Sequence, residues 1–171
     1  MNELQNGGLR ARLAGIRLLS LDTDGVLTDG GLYYADSGEE MRKFNVKDGL
    51  GMQRVQAMGI PVAIITASRS RSIAHRAERL GIEHVFVASE DKLATLSALC
   101  GELEIDLAHV AHVGDDLNDL AVFEAVGCPI TVADATGEAL AAAVYVTEKK
   151  GGEGAVREIC DMLVEARSEE E

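Results

Sequence analysis

The stretch IRLLSLDTDG, residues 16–25, decides how the chain folds. A mostly apolar run ends abruptly in polar residues and a glycine, as a buried strand ends in a loop. Short apolar runs of this kind recur and alternate with amphipathic segments, which is typical of parallel strands covered by helices on both faces. The sequence therefore predicts an α/β fold with a Rossmann-like, doubly wound parallel sheet. The predicted strands are Ile16–Leu21, Pro61–Thr66, His84–Val87, Val110–Val113, Pro129–Val132 and Val144–Val146, and the predicted helices are Leu50–Met58, Ser70–Leu80, Asp91–Leu103, Leu117–Val126, Gly137–Ala142 and Gly154–Ala166.

One segment breaks this alternation. Gly31–Ala35 and Glu40–Val46 carry β-favouring residues and flank the turn residues Asp36-Ser37-Gly38. The sequence predicts a β-hairpin here, over about residues 31–46, inserted after the first strand. The other predicted boundaries are an N-terminal extension (1–15), a single α/β domain (16–167) and an acidic tail (168–171).

Length and charge limit the possible functions. The 171 residues correspond to one domain. The formal net charge of −13 repels nucleic-acid backbones and anionic membrane surfaces, so we expect neither as a partner. The three cysteines have no metal-binding or CxxC spacing, and we expect buried thiols in a reducing, cytoplasmic setting.

Four polar features fall at the carboxyl ends of predicted strands or at a helix start beside that edge. Asp22-Thr23-Asp24-Gly25 follows the first strand, Thr66 ends the second, Lys92 opens the helix after the third, and Gly114-Asp115-Asp116 follows the fourth. Open parallel sheets bind ligands at this edge, so we expect the four features to lie close together.

These residue types favour metal-assisted phosphoryl transfer. Converging carboxylates repel one another unless a cation lies among them, and ligands that are all oxygen suit Mg²⁺. The predicted metal-binding residues are Asp22, Asp24, Asp115 and Asp116.

The same edge also offers the groups that the reaction needs. Asp22 is the candidate nucleophile and forms an aspartyl-phosphate, while Asp24 is the candidate acid and base. Thr66 and Lys92 are candidates to contact the phosphoryl oxygens.

Each feature alone is commonplace. An Asp-x-Asp-Gly stretch is usually a turn, a Thr closing a strand is usually a β-former, a lysine at a helix start is mostly solvated, and Gly-Asp-Asp is often a helix cap. Their common location at one edge favours a phosphate and metal site. The four histidines, by contrast, have no suitably spaced partner, and we interpret them as core or surface residues.

In this order the motifs resemble those of the haloacid dehalogenase (HAD) phosphohydrolase superfamily. The first motif is DTDGVLTDG (22–30), the second and third are represented by Thr66 and Lys92, and the fourth is GDDLND (114–119). Two further stretches, KFNVKDG (43–49) and GGEGAVRE (151–158), resemble the phosphatases of 3-deoxy-D-manno-octulosonate 8-phosphate (KDO 8-phosphate).

The resemblance implies specific roles. Asp22 is the nucleophile and a Mg²⁺ ligand, Asp24 is the acid and base and binds metal through its carbonyl oxygen, and Asp115, with Asp116 beside it, binds metal. It also implies that the substrate is a small sugar phosphate. Substrate contacts are implied for Asn45, Val46, Lys47, Asp48, Gly49 and Arg76.

Two departures concern substrate specificity. Ser68 stands where the octulosonate enzymes usually have an arginine that could pair with a sugar carboxylate, and Glu153 stands where they usually have Arg or Lys. Glu153 and the fourth motif resemble the phosphatases of nine-carbon acids (KDN and sialic acid 9-phosphates), which commonly have Glu at the Ser68 position. We count both Ser68 and Glu153 as candidate substrate contacts.

The resemblance also implies the overall assembly. The gaps between Asp22, Thr66 and Lys92 hold no room for a cap domain. In similar capless proteins a homotetramer covers the open pocket, with the hairpins forming a central barrel and a neighbour's C-terminal segment closing the site. The Gly-rich loop 151–154 is the candidate segment in this chain.

Two other classes of function share some of these features. A receiver-type signalling domain also combines acidic residues, a Thr and a Lys, but its phosphoacceptor ends the third strand and it lacks a carboxylate cluster after the Lys. A catalytically idle, oligomeric accessory domain is the other alternative, and the complete motif set of this chain argues against it.

Overall fold

In the computed structural model, which describes residues 3–168, helices and parallel strands alternate as the sequence predicts. The strands are β1 (Leu18–Leu21), β2 (Tyr33–Tyr34), β3 (Glu40–Met41), β4 (Val62–Ile65), β5 (His84–Phe86), β6 (Val110–Val113), β7 (Cys128–Thr131) and β8 (Tyr145–Val146). The helices are α1 (Glu3–Ala14), α2 (Val46–Ala57), α3 (Arg71–Leu80), α4 (Lys92–Leu103), α5 (Leu120–Ala125), α6 (Gly137–Ala142) and α7 (Ala155–Ser168), with short 3₁₀ turns at Leu107–His109 and Leu117–Asp119.

Six parallel strands form one sheet in the order β5-β4-β1-β6-β7-β8. All residues of β1, β4, β6 and β7 are buried, because helices cover both faces and each strand is apolar almost throughout. The predicted α/β class and doubly wound sheet are confirmed. β1 lies between β4 and β6. The chain runs from β1 to β4 and β5 on one side and then crosses to β6, β7 and β8 on the other, so the strand order reverses at β1. The carboxyl ends of β1, β4 and β6 form the crevice where such sheets bind ligands.

The predicted N-terminal extension contains a helix that belongs to the domain. Leu9 and Leu13 of α1 are buried, and α1 packs against α7. This helix is hard to predict from the sequence, because two adjacent glycines (residues 7 and 8) weaken its helix propensity. Of the predicted acidic tail, Ser168 is the last residue of α7, and residues 169–171 lie outside the described part of the chain.

The inserted hairpin is present but shorter than predicted. β2 and β3 are antiparallel, with Tyr33 opposite Met41, and the turn contains Gly38 at φ +83°. The chain then enters α2 at Val46, because the Asn45 side chain accepts a hydrogen bond from the Lys47 N–H (2.8 Å) and caps the helix.

Between β1 and β4, the described chain holds only this hairpin and α2, and no cap domain. None of the helices within residues 3–168 has the length and apolar character that a bilayer crossing requires.

Candidate active site

The loop after β1 turns sharply and fixes Asp22 at the centre of the crevice. The Asp22 N–H bonds the Val113 carbonyl (2.9 Å) of the neighbouring strand β6. The Thr23 carbonyl accepts the N–H groups of Val26, Leu27 and Thr28, which closes the loop. One Asp22 oxygen, Oδ1, also accepts the Thr23 N–H at 2.7 Å. These bonds hold the carboxylate in one orientation, and only 5 % of the residue is exposed.

Lys92 supplies the positive charge beside this carboxylate. It is the first residue of α4, and its buried Nζ lies 2.8 Å from Asp22 Oδ2 and 2.6 Å from Asp119 Oδ1. Burial alone would lower the pKa of Lys92, but the two carboxylates outweigh it and raise that pKa. Burial raises the pKa of Asp22, and the charge of Lys92 offsets only part of the effect. Lys92 is thus a fixed cation next to the candidate nucleophile.

Asp119 holds several site residues in place through hydrogen bonds, a role that the sequence analysis did not identify. Its Oδ1 contacts Lys92 and His112 Nε2 (3.1 Å), and its Oδ2 accepts the N–H groups of Asp115 (3.1 Å) and Asp116 (3.4 Å). Burial alone would raise the pKa of Asp119, but His112 and Lys92 outweigh it and hold that pKa at about 2. Because both oxygens are engaged, Asp119 positions Lys92 and the loop after β6.

His112 was interpreted as a core or surface residue, and it is indeed fully buried. Its ring also bonds Ser20 through Nδ1 (3.0 Å) and Asp119 through Nε2, which links β1 to the fourth motif. A histidine within an apolar strand gives no hint of a partner seven residues later, so only the fold brings these two residues together.

Asp115 completes an acidic cluster that fits a divalent cation. Oxygen atoms of Asp22, Asp115 and Asp119 lie within 4.8 Å of one another. Burial, reinforced by the charges of Asp22 and Asp119, raises the pKa of Asp115 to about 7. A Cβ on Gly25 would lie 2.0 Å from Asp115 Oδ2, so only glycine lets this carboxylate approach the first loop.

These oxygen donors suit Mg²⁺. Asp22 and Asp115 are the better candidates to hold it, because each Asp119 oxygen already makes two contacts, whereas each Asp22 oxygen makes one. Metal contacts by Asp22, Asp24, Asp115 and Asp116 all stay predictions. The Asp116 side chain accepts the Leu117 N–H at 2.7 Å and caps the 3₁₀ turn there.

Asp24 is held by an arginine that the sequence did not single out. The Arg42 guanidinium, at the end of the hairpin, donates from Nε to Asp24 Oδ1 (2.6 Å) and from Nη2 to Asp24 Oδ2 (3.0 Å). Nη2 also donates to Ser68 Oγ at 2.9 Å. No spacing or periodicity connects a hairpin arginine with the loop after β1, so this contact depends on how the hairpin folds back.

An open cavity of about 470 Å³ lies above these groups. It joins most of the predicted catalytic and metal-binding residues, since the first, second and fourth motifs all line it. Lys92 lies just beneath, in contact with Asp22. The lining residues are Asp22, Asp24, Gly25, Gly30, Thr66, Ala67, Ser68, Asp115, Asp116, Leu117 and Asn118.

The other predicted substrate contacts do not line this cavity. Asn45 bonds the Gly152 carbonyl (3.1 Å), and buried Asp48 accepts the Arg157 N–H (2.8 Å). Arg76 donates to the Asn45 carbonyl (3.1 Å) and lies over the Phe44 ring, close against Gly49.

These contacts join α2, α3 and α7 of the same chain. The side chains of Val46, Lys47 and Glu153 are exposed. Substrate contacts by these residues stay predictions. Such contacts would require a substrate that reaches beyond the cavity.

The Gly-rich loop 151–154 packs against the loop after β1 of the same chain. The Gly152 N–H bonds the Val26 carbonyl (3.0 Å), and the Gly151 N–H bonds Asp134 Oδ1 (3.0 Å). A Cβ on Gly151 would lie 1.7 Å from the Gly25 carbonyl oxygen. The loop therefore supports the back of the first motif.

A doubly wound sheet with a buried aspartate and lysine beside carboxylates that could hold a cation is typical of phosphohydrolases of the haloacid dehalogenase class. Consistent with this, the family model for haloacid dehalogenase-like hydrolases matches residues 82–159. A 3-deoxy-D-manno-octulosonate 8-phosphate phosphatase of Yersinia pestis is 45 % identical over 156 residues, covering 91 % of this chain and 83 % of that protein.

Solved structures agree. The octulosonate phosphatase of Moraxella catarrhalis, crystallised with magnesium, phosphate and KDO, is 39 % identical, with a TM-score of 0.93 over 95 % of this chain and 93 % of that one. A HAD hydrolase of subfamily III A from Legionella pneumophila is 38 % identical, with a TM-score of 0.96 over 98 % of this chain and 92 % of that one. The chain belongs to the 3-deoxy-D-manno-octulosonate 8-phosphate phosphatase family of these hydrolases.

Proposed function

We propose that this chain is a Mg²⁺-dependent phosphatase that hydrolyses KDO 8-phosphate through an aspartyl-phosphate on Asp22. The observation that carries the proposal is the Asp22 carboxylate, fixed by Lys92 and the Thr23 N–H, facing an open cavity beside Asp115. The substrate is taken from the relatives: the Yersinia pestis protein is named for KDO 8-phosphate, and the Moraxella catarrhalis structure contains KDO and phosphate. The nine-carbon alternative has no such support.

In the first half of the reaction, an Asp22 oxygen attacks phosphorus and the bond from phosphorus to the sugar oxygen breaks in line. Asp24 gives a proton to the departing alkoxide. Lys92 and Thr66 offset the charge on the phosphoryl oxygens. Asp22 and Asp115 would hold magnesium, whose positive charge would let an anionic ester approach this acidic site.

In the second half, Asp24 takes a proton from the incoming water, whose oxygen attacks phosphorus. The bond between phosphorus and Asp22 breaks, which releases inorganic phosphate, restores the Asp22 carboxylate and leaves Asp24 protonated for the next cycle. The cavity lies at the surface, so water reaches it without a domain movement.

The test is phosphate release from KDO 8-phosphate by the wild type and by Asp22→Asn, with and without a chelator. We expect the variant to lose at least about 10⁴-fold in kcat, because an amide is a poor nucleophile. We also expect excess chelator to stop the wild type and added Mg²⁺ to restore it. Activity of Asp22→Asn close to the wild type would refute the nucleophile, and turnover that survives chelation would refute the metal.

We further propose that the protein forms a homotetramer through its hairpins. Leu32, Tyr33, Tyr34 and Met41 all expose large apolar side chains there, and Tyr33 and Met41 are cross-strand partners. Burying such a patch between copies is favourable. In this arrangement a neighbour's C-terminal segment closes the open cavity, and the exposed Glu153 is the part of loop 151–154 available to reach across.

The three buried, free cysteines of the chain (Cys100, Cys128 and Cys160) support a reducing, cytoplasmic setting.

The assembly is tested by Tyr33→Glu combined with Met41→Glu, with Leu140→Glu as a matched control because Leu140 is also an exposed apolar residue, on α6. Light scattering should give tetramers for the wild type and the control and smaller species for the double variant, with a higher KM for KDO 8-phosphate. A double variant that stays tetrameric would exclude the hairpin interface.

A further inference from the structure

Arg42 lies almost entirely inside the protein although it belongs to an exposed hairpin. Only 3 % of its side chain is exposed. Nε and Nη2 donate to the two oxygens of Asp24, Nη2 also donates to Ser68 Oγ, and Nη1 donates to Glu40. A buried guanidinium must have its donors satisfied, and here three residues from three segments satisfy it.

The contact with Asp24 is a two-point contact. Two parallel N–H···O bonds fix the plane of a carboxylate as well as its position. Without them, the Asp24 side chain, which is 36 % exposed, would turn freely in the cavity. Proton transfer requires the acid to lie within about 2.6–3.2 Å of the leaving oxygen, so the orientation of this carboxylate matters.

The contact with Ser68 joins the same guanidinium to the second motif. The Ser68 N–H donates to Thr66 Oγ1 at 3.2 Å, and Ser68 Oγ accepts the Ser70 N–H at 3.3 Å. Arg42 therefore holds together the candidate acid and the loop that carries Thr66.

The hairpin in turn holds Arg42. Glu40, which precedes it by two residues, accepts Nη1 and also the Tyr34 hydroxyl at 2.8 Å. Hydrogen bonds to Asp24 and Glu40 outweigh burial and raise the pKa of Arg42, so its charge is permanent.

We propose that Arg42 is a positioning residue that orients the Asp24 carboxylate for proton transfer to the leaving group. The inference rests on the proposed function, in which Asp24 is the acid. A residue acting in this way affects a reaction only to the extent that the leaving group needs a proton. An aryl phosphate whose leaving group departs as a stable anion needs little help, whereas an alkyl phosphate needs much.

The experiment compares kcat for benzyl phosphate and p-nitrophenyl phosphate, two probes of similar size without a sugar carboxylate. For Arg42→Met, the ratio of kcat on benzyl phosphate to kcat on p-nitrophenyl phosphate should fall by about 10²-fold, within the range of acid catalysis. Asp24→Asn should lower it similarly, and the double variant should lower it no further, because Arg42 acts through Asp24. Arg42→Lys keeps the charge but cannot bond both oxygens in one plane, and should give an intermediate ratio.

An unchanged ratio in Arg42→Met would overturn the proposal, as would multiplicative losses in the double variant. A wild-type ratio in Arg42→Lys would overturn it too, since charge alone would then suffice. A higher KM for KDO 8-phosphate with an unchanged ratio would instead assign Arg42 to sugar binding. Should Arg42→Met fail to fold, Glu40→Gln, which loosens Arg42 from outside, takes its place and should lower the ratio less. Failure of the proposed function gives a different result: Asp22→Asn would stay active on both probes.

Discussion

Replacing Gly25 by alanine tests the close approach of the first and fourth motifs. The added Cβ would lie 2.0 Å from Asp115 Oδ2, whereas ordinary contact begins at 3.4 Å. The carboxylate must therefore retreat by about 1.4 Å, far beyond the tolerance of a magnesium ligand, whose bonds are about 2.0–2.1 Å long. The φ of +82° at Gly25 adds backbone strain of about 1–2 kcal/mol.

Gly38 provides the matched control. Its φ of +83° is almost the same, but a Cβ there meets nothing within 4 Å. Gly25→Ala and Gly38→Ala should therefore both lose about 1–2 kcal/mol in the free energy of unfolding from backbone strain. Only Gly25→Ala should also lose function, because a misplacement of about 1 Å at a reacting centre can cost about 10²-fold in rate.

The assay is kcat/KM for p-nitrophenyl phosphate as a function of Mg²⁺ concentration, alongside urea unfolding of the metal-free proteins. Gly25→Ala should show a kcat/KM at least about 10²-fold lower and require more Mg²⁺ for half-maximal rate. If Gly25→Ala and Gly38→Ala had the same kcat/KM and Mg²⁺ dependence, Asp115 would not act from the position described here.

Two further predictions concern charge. Lys92→Met leaves Asp22 and Asp119 buried without their shared cation, so the free energy of unfolding in urea should fall by about 3–5 kcal/mol and phosphate release should become undetectable. The control Lys150→Met, at an exposed position, should change neither, and equal behaviour of the two variants would contradict the role of Lys92. The pKa of Asp115 is about 7 in the fold against an ordinary 3.8, so ionisation is unfavourable in the metal-free protein and the free energy of unfolding should fall as pH rises from about 4 to about 7. Calorimetry should show that Mg²⁺ affinity falls as pH drops below about 7. Asp115→Asn should flatten the dependence of stability on pH, and an unchanged slope would contradict the assignment.

The fold could be predicted from the sequence because strands buried on both faces consist of continuous apolar residues. Strands such as β4 and β6 are continuous apolar runs, and their boundaries agree with the prediction within one residue or fully. Polar residues at their carboxyl ends then had to meet at one edge. The start of α2 was placed too late, because Val46 favours strands by propensity while the Asn45 cap decides for the helix.

The parts of the site that sequence reasoning missed are pairings without a local signal. Arg42 reaches Asp24 across 18 residues because the hairpin folds over the first loop. His112 reaches Asp119 from inside a strand, and Lys92 reaches it across 27 residues. Individual charges were visible in the sequence, but which carboxylate each cation would meet depended on the tertiary structure.

The docking of Gly151 and Gly152 against the loop after β1 has a consequence for biosynthesis. Val26 and Gly152 are 126 residues apart, so the ribosome makes the loop after β1 long before the backbone that supports it. A nascent chain that has already paired β1, β4 and β6 still lacks this buttress. We expect a chain that stops before Gly151 to form the paired strands without the support for the loop after β1.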